Sequence, residues 1–188
     1  MLNPTRKNYA LSVLAIAFFV IIALASGDDK KTSSSSGSAS AEDVKKPAEN
    51  WSYESDTDKM TSKVVYYGST DAKEPVKLKF PYEGSEASLV IARKNNQSLA
   101  YFKVTKGQIL AANPVNGGEI KVRFDSDQPE TYQVSGPSDM SSETVFINSA
   151  DRFITRLKKS KTLLVEVEFF DNGTRQVEFN TSNFVWNH

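Results

Sequence analysis

Apolar and polar side chains alternate one for one through much of the second half of this chain. Within Lys161 to Asn180, the run Leu163, Val165, Val167, Phe169 interleaves with Leu164, Glu166, Glu168, Phe170, the period of a β-strand with one buried face. The return run offers Val177 and Phe179 as its inward pair. A two-residue Asn172-Gly173 loop would set these two on the wrong face, a slip that any buried face penalises. A three-residue loop, Asp171-Asn172-Gly173, with Gly173 left-handed in a bulge, restores the match. It pairs Val167 with Val177 and Val165 with Phe179, and leaves Glu166 opposite Glu178 in solvent.

The same alternation recurs upstream. Ala87 to Arg93 and Ser98 to Val104 form a second hairpin around Asn95-Asn96. Here a two-residue loop pairs Ala87 with Val104, Leu89 with Phe102 and Ile91 with Ala100 on one face. The opposite face carries Val90, Ala92, Leu99 and Tyr101, so these strands are central or have their second face partly covered. Further strands are predicted over 63–67, over 75–80 with Val76, Leu78 and Phe80 inward, and over 119–125 with Ile120, Val122 and Phe124 inward. Others follow over 131–134 and 144–148, with a last edge strand at Phe184-Val185-Trp186. Asp127-Gln128-Pro129 and Gly136-Pro137 break the pattern between them. One short helix is expected, Ala150 to Lys159, with Ser149 as N-cap and Phe153, Ile154 and Leu157 as its apolar stripe. Eight or nine turn-bounded strands with one short helix predict a mostly β fold, an antiparallel β-sandwich, over residues 50–188.

The first 49 residues follow other rules. Arg6 and Lys7 precede an uncharged apolar helix, Ala10 to Ala25, and Ala23-Leu24-Ala25 before Ser26 fits a small-x-small cleavage site. The run falls just short of the about 17–25 apolar residues of a spanning helix. Residues 1–27 therefore read as a signal peptide or a signal anchor, and in the second case residues 10–25 hold the chain to a membrane. Leu24-Ala25-Ser26-Gly27 resembles a bacterial lipobox in which glycine replaces the lipid-bearing cysteine. Residues 28–49, rich in serine, lysine and acid with almost nothing apolar, form a disordered linker.

Composition narrows the chemistry. Basic and acidic residues number 23 each, so no global field draws in nucleic acid. Cysteine is absent, which removes disulfides, thiolate catalysis and cysteine-held metals together. The one histidine is His188, the last residue, where a frayed terminus would have to carry any histidine catalysis. Asp56 and Asp58 have the spacing of two calcium ligands but lack the glycine and glutamate that complete such a loop, and read as an exposed turn. No phosphate loop or metal-spaced cluster is present, and no cofactor is expected. The Asn-x-Ser/Thr triplets at Asn50, Asn96, Asn172 and Asn180 are what a chain of this composition contains by chance.

Two features invite a binding role. Arg93, Arg123 and Asp125 sit on outward or terminal strand positions, and an arginine pair grips a carboxylate or phosphate as a fork. Ordinary solvated strand faces account for the same residues. Aromatic residues, Trp51, Tyr53, Tyr66, Tyr67, Tyr82, Tyr101, Tyr132 and Trp186, mark either interfaces or the rim of a small core.

The order Trp51-x-Tyr53, Asp58-x-Met60-Thr61, Phe80-Pro81-Tyr82-x-Gly84, Leu89-x-Ile91-x-Arg93, Gly107-Gln108, Val122-Arg123-Phe124-Asp125 and the final hairpin resembles short exported bacterial proteins. At greater distance it is similar to VasI/TagO-type accessory proteins associated with type VI secretion. The resemblance spans about Asn50 to Trp186. It implies a non-enzymatic β-sandwich accessory of the envelope and supplies no catalytic residues. The expectation is thus an exported, periplasmic or inner-membrane-tethered binding module whose partner is another envelope protein. The alternatives are a hydrolase acting through carboxylates such as Asp125, Asp127 and Glu130, and a purely structural domain.

Overall fold

A computed structural model describes residues 50–188 apart from Pro114; the leader at 1–27 and the linker at 28–49 lie outside the described residues. Nine strands and one helix follow in order: β1 (Ser52–Thr57), β2 (Val64–Asp71), β3 (Ala87–Lys94), β4 (Gln97–Val104), β5 (Gly118–Phe124), β6 (Glu130–Ser135), β7 (Thr144–Ile147), α1 (Ala150–Leu157), β8 (Thr162–Phe169) and β9 (Gly173–Asn180). The ladders join all nine into one antiparallel sheet, β1-β2-β3-β4-β7-β6-β5-β8-β9. The mostly β character and the single short helix are as the sequence predicts.

The sheet curls over one core. Phe102 on β4 meets Phe179 on β9 edge to face at 6.2 Å, although four strands separate them in the sheet order. The chain leaving β2 closes the gap: Ala72 bridges to Phe179, and the Lys73 N–H donates to the Glu178 carbonyl at 2.9 Å. Leu89, Phe102, Phe169 and Phe179 are fully enclosed. α1 lies against this core by Phe153, which packs 5.5 Å from both Phe124 and Tyr132.

The β3–β4 hairpin has the predicted register in every pair named above. Asn95 and Asn96 both take positive φ, +50° and +62°, as a two-residue primed turn requires. The β8–β9 hairpin keeps the predicted faces but not the predicted pairing. Val165 lies opposite Val177 and Leu163 opposite Phe179, a register offset by two from the expected one, so the three-residue loop sits one residue earlier, at Phe170-Asp171-Asn172. Tertiary anchors set this register. The buried Asn172 side chain accepts the Lys79 N–H at 2.7 Å and donates to the Phe170 carbonyl at 3.0 Å. Glu166 thereby faces Gln176, which donates to it at 2.8 Å, and the expected clash with Glu178 does not arise.

Three other expectations are corrected. Residues 75–80 form no strand: Val76 makes a single bridge to Ser85, and Phe80 is 84% exposed. This segment instead runs along β9, where Arg175 Nε donates to the Lys77 carbonyl. Phe184-Val185-Trp186 is not an edge strand either; Phe184 and Trp186 pack inward while Val185 faces out. The helix stops at Leu157 rather than Lys159, and Ser149 holds the cap position without a side-chain hydrogen bond. β1 was hidden from the pattern because all six of its side chains are exposed. Of the turn expected at Asp56 and Asp58, the Asp58 half is present, its carboxylate accepting the Met60 and Thr61 N–H groups, whereas Asp56 lies in β1 opposite Val65.

Candidate binding surface

The structure does not bring Arg93, Arg123 and Asp125 together. Arg93 lies next to the end of β3 on the same strand face as Leu89 and Ile91, opposite Tyr66 and Ser98. Its guanidinium donates to the Ser98 hydroxyl at 2.7 Å. Arg123 lies on β5 opposite Leu164, on the face away from the core. Three strands intervene between β3 and β5, which at about 4.8 Å per strand step is ~19 Å along the sheet. Asp125 is occupied locally. It adopts φ +49° and its carboxylate accepts the Thr162 and Lys161 N–H groups, each at 2.8 Å. The Thr162 N–H is the largest cause holding this carboxyl below its ordinary pKa, and the Lys161 N–H adds to it. Asp125 thus ties the end of β5 to the start of β8.

The remaining carboxylates of the hydrolase alternative are engaged with α1. Arg156 pairs with Asp127 at 2.7 Å and with Glu130, which also pairs with Arg152. Arg156 stands over the Phe124 ring at 4.9 Å and Arg152 over the Tyr132 ring at 5.4 Å. The network docks the helix onto β5 and β6. Among the described residues, no group of three or more His, Cys, Asp or Glu is placed to hold a metal ion.

What the structure does assemble is an asymmetric outer face. Over β6, β5, β8 and β9 this face is polar apart from Leu164, with Lys121 bonded to Glu166 at 3.2 Å and Lys73 to Glu178 at 2.5 Å. Over β2, β3, β4 and β7 it is aromatic and aliphatic. Ala92 is flanked in register by Tyr67 and Leu99, Val90 by Ser69 and Tyr101, and Tyr101 by Phe146. The Tyr101 and Phe146 rings lie 5.3 Å apart. Val90 and Ala92 are 4% and 1% exposed although they point away from the core. Burial pushes the Tyr101 hydroxyl up to about 12, with Tyr67 adding to the effect, so it stays a neutral donor. Burial, and then Asp56, also raises Tyr67. The β3–β4 part of this surface was legible as a second apolar face; Tyr67 stood out only as one aromatic residue among several, and Phe146 not at all, because their flanking residues give no alternation to follow.

A second aromatic group lies on the core side of β1 and β2. Phe184 packs on Trp51 at 4.3 Å, Trp186 stacks beyond it at 6.2 Å, and His188 stacks on Tyr66 at 3.8 Å. The terminus is therefore packed rather than frayed. A cleft of about 580 Å³ opens between the start of β1 and the end of β2, with Trp51, Tyr53, Thr70 and Asp71 in its walls. Comparison with protein-family models, with curated proteins and with solved structures gives no match to this chain.

Proposed function

We propose that this chain is a non-catalytic binding or accessory module of a bacterial cell envelope, exported or tethered by its N-terminal segment, with another envelope protein as partner. The aromatic half of the outer face carries this reading. Tyr67, Leu99, Tyr101 and Phe146 form a half-buried apolar surface beside one that is polar apart from Leu164, a contrast expected of an interaction face. The engagement of Asp125, Asp127 and Glu130 in structural hydrogen bonds and ion pairs favours the non-enzymatic reading over the carboxylate hydrolase. The resemblance to VasI/TagO-type accessory proteins points the same way.

The sandwich reading fits this division. β6 and β7 join by only two residue pairs, so the curled sheet works as two layers, β1-β2-β3-β4-β7 and β6-β5-β8-β9, hinged at that seam. The test is capture from envelope extract with the full-length protein and mild cross-linking. One dominant protein should be retained by wild type and by Arg123→Ala. It should be lost from Leu99→Thr/Tyr101→Thr, which removes the Tyr101 ring and the Leu99 side chain but keeps β propensity. Equal capture by that double variant, with its unfolding midpoint unchanged, would reject this surface.

A further inference from the structure

The two edges of the sheet differ. β9 is flanked by the segment after β2 through Ala72, Lys73 and Lys77. Among the described residues, nothing pairs with the outer side of β1. The phase of its ladder can be read from both sides of β2. The Asp58 N–H donates to the Lys63 carbonyl, and the Ala72 N–H to the Ala87 carbonyl. With the register Ser52↔Ser69 to Thr57↔Val64, even-numbered residues of β1 bond β2. Tyr53, Ser55 and Thr57 aim their N–H and C=O groups outward.

The side chains along this edge define what it fits. Glu54 and Asp56 lie on the outer face, opposite Tyr67 and Val65. Tyr53 lies on the other face, 47% exposed, and its hydroxyl accepts the N–H of Val185, itself 60% exposed. A second copy is a poor occupant. Antiparallel pairing about Ser55 would set Glu54 against Asp56 of the other copy twice, and like charges directly opposite are destabilising. A strand of opposite charge meets no such penalty.

We infer that the outer edge of β1 takes an extended segment of a partner protein as an added strand. Lysine or arginine of that segment lies beside Glu54 and Asp56, and an aromatic or aliphatic residue lies against Tyr53 and Val185. Main-chain bonds at Tyr53, Ser55 and Thr57 supply affinity, and the alternating side chains supply selectivity. This rests on the binding-module reading and gives it a partner chemistry.

The test uses full-length protein and a fluorescent peptide that alternates lysine with valine and tyrosine, read by anisotropy. Ser55→Pro removes an outward N–H without touching the β1–β2 ladder, an edge position of the kind where a strand tolerates proline. Glu54→Lys/Asp56→Lys reverses the charge. Saturable binding that weakens at least about tenfold in each variant, with unfolding midpoints kept, and that fades as salt screens the pairs, is the expected result. A peptide with glutamate in place of lysine should not bind. Equal binding to Ser55→Pro, equal binding of the glutamate peptide, or no saturable binding at all would overturn the edge. Partner capture that is lost in Leu99→Thr/Tyr101→Thr but untouched by Ser55→Pro would also overturn it, while leaving the binding-module reading in place.

Discussion

At the scale of single residues, backbone conformation and space must be weighed separately. Gly173 has φ +66°, yet a Cβ there would meet nothing within 4 Å. Gly173→Ala should therefore cost only the intrinsic penalty of a left-handed alanine, about 1 kcal/mol. Gly117 has nearly the same φ, +65°, but its Cβ would stand 2.6 Å from the Val134 carbonyl oxygen. Gly117→Ala adds a collision with a β6 backbone atom that cannot rotate away, and should cost ~2–4 kcal/mol. Denaturant melts of the two variants decide the ordering. Asp125 gives a prediction in pH. The fold lowers its carboxyl below the ordinary 3.8 through the Thr162 and Lys161 N–H groups. Its stabilisation is complete at neutral pH and drains away as pH falls through that range, because the unfolded chain takes up the proton first. Wild type should lose more stability between about pH 6 and about pH 3 than Asp125→Asn, whose amide does not titrate there. Parallel losses would separate Asp125 from the acid response.

Elements hold by different bonds, and α1 shows the contrast within two turns. Phe153 is fully buried between Phe124 and Tyr132, so Phe153→Ala should cost about 3–5 kcal/mol. Arg152 pairs with Glu130 with its side chain 62% exposed, so Arg152→Ala should change stability by less than about 1 kcal/mol. Hairpins differ in how much of them a sequence can disclose. β3–β4 was readable to the residue because its turn chemistry and its apolar faces agree, and nothing outside the hairpin overrules them. In β8–β9 the faces were readable, since parity survives a shift of two, but the register depends on Asn172 capturing the Lys79 N–H from a distant loop. Asn172→Ala leaves that N–H and the Phe170 carbonyl without their partner and should cost about 1–3 kcal/mol. The 75–80 segment misled for the opposite reason: its alternation is real for Val76 and Leu78, but one bridge, local turn bonds and the Asn172 and Arg175 side chains, rather than a strand ladder, satisfy its backbone. The candidate surface follows the same logic. Arg93 and Arg123 drew attention as charges on strands; their alternation already sets them on different faces, but only strand order shows three strands lying between them.

For the molecule as a whole, the consequence of a curled sheet that closes on one side is an unequal pair of edges. The loop after β2 lies along β9, and its Lys73 N–H and Lys77 carbonyl take up groups that would otherwise face water. β1 has charged residues at its edge, Glu54 and Asp56, and short polar neighbours, which is how natural sheets keep an open edge from pairing with itself. Amide exchange can read this asymmetry directly in the unbound protein. The N–H groups of Glu54 and Asp56 point to β2 and should be protected, while those of Tyr53, Ser55 and Thr57 point outward and should exchange at nearly the rate of an open chain. Val177 and Phe179, in the β9 ladder with β8, should exchange far more slowly than any amide of β1. Alternating protection along Ser52–Thr57 would show an edge that is folded, in register and vacant, the state that strand addition needs. Uniform protection independent of concentration would mean that another part of the chain already holds that edge, and uniform protection that disappears on dilution would mean that a second copy overcomes the carboxylate repulsion.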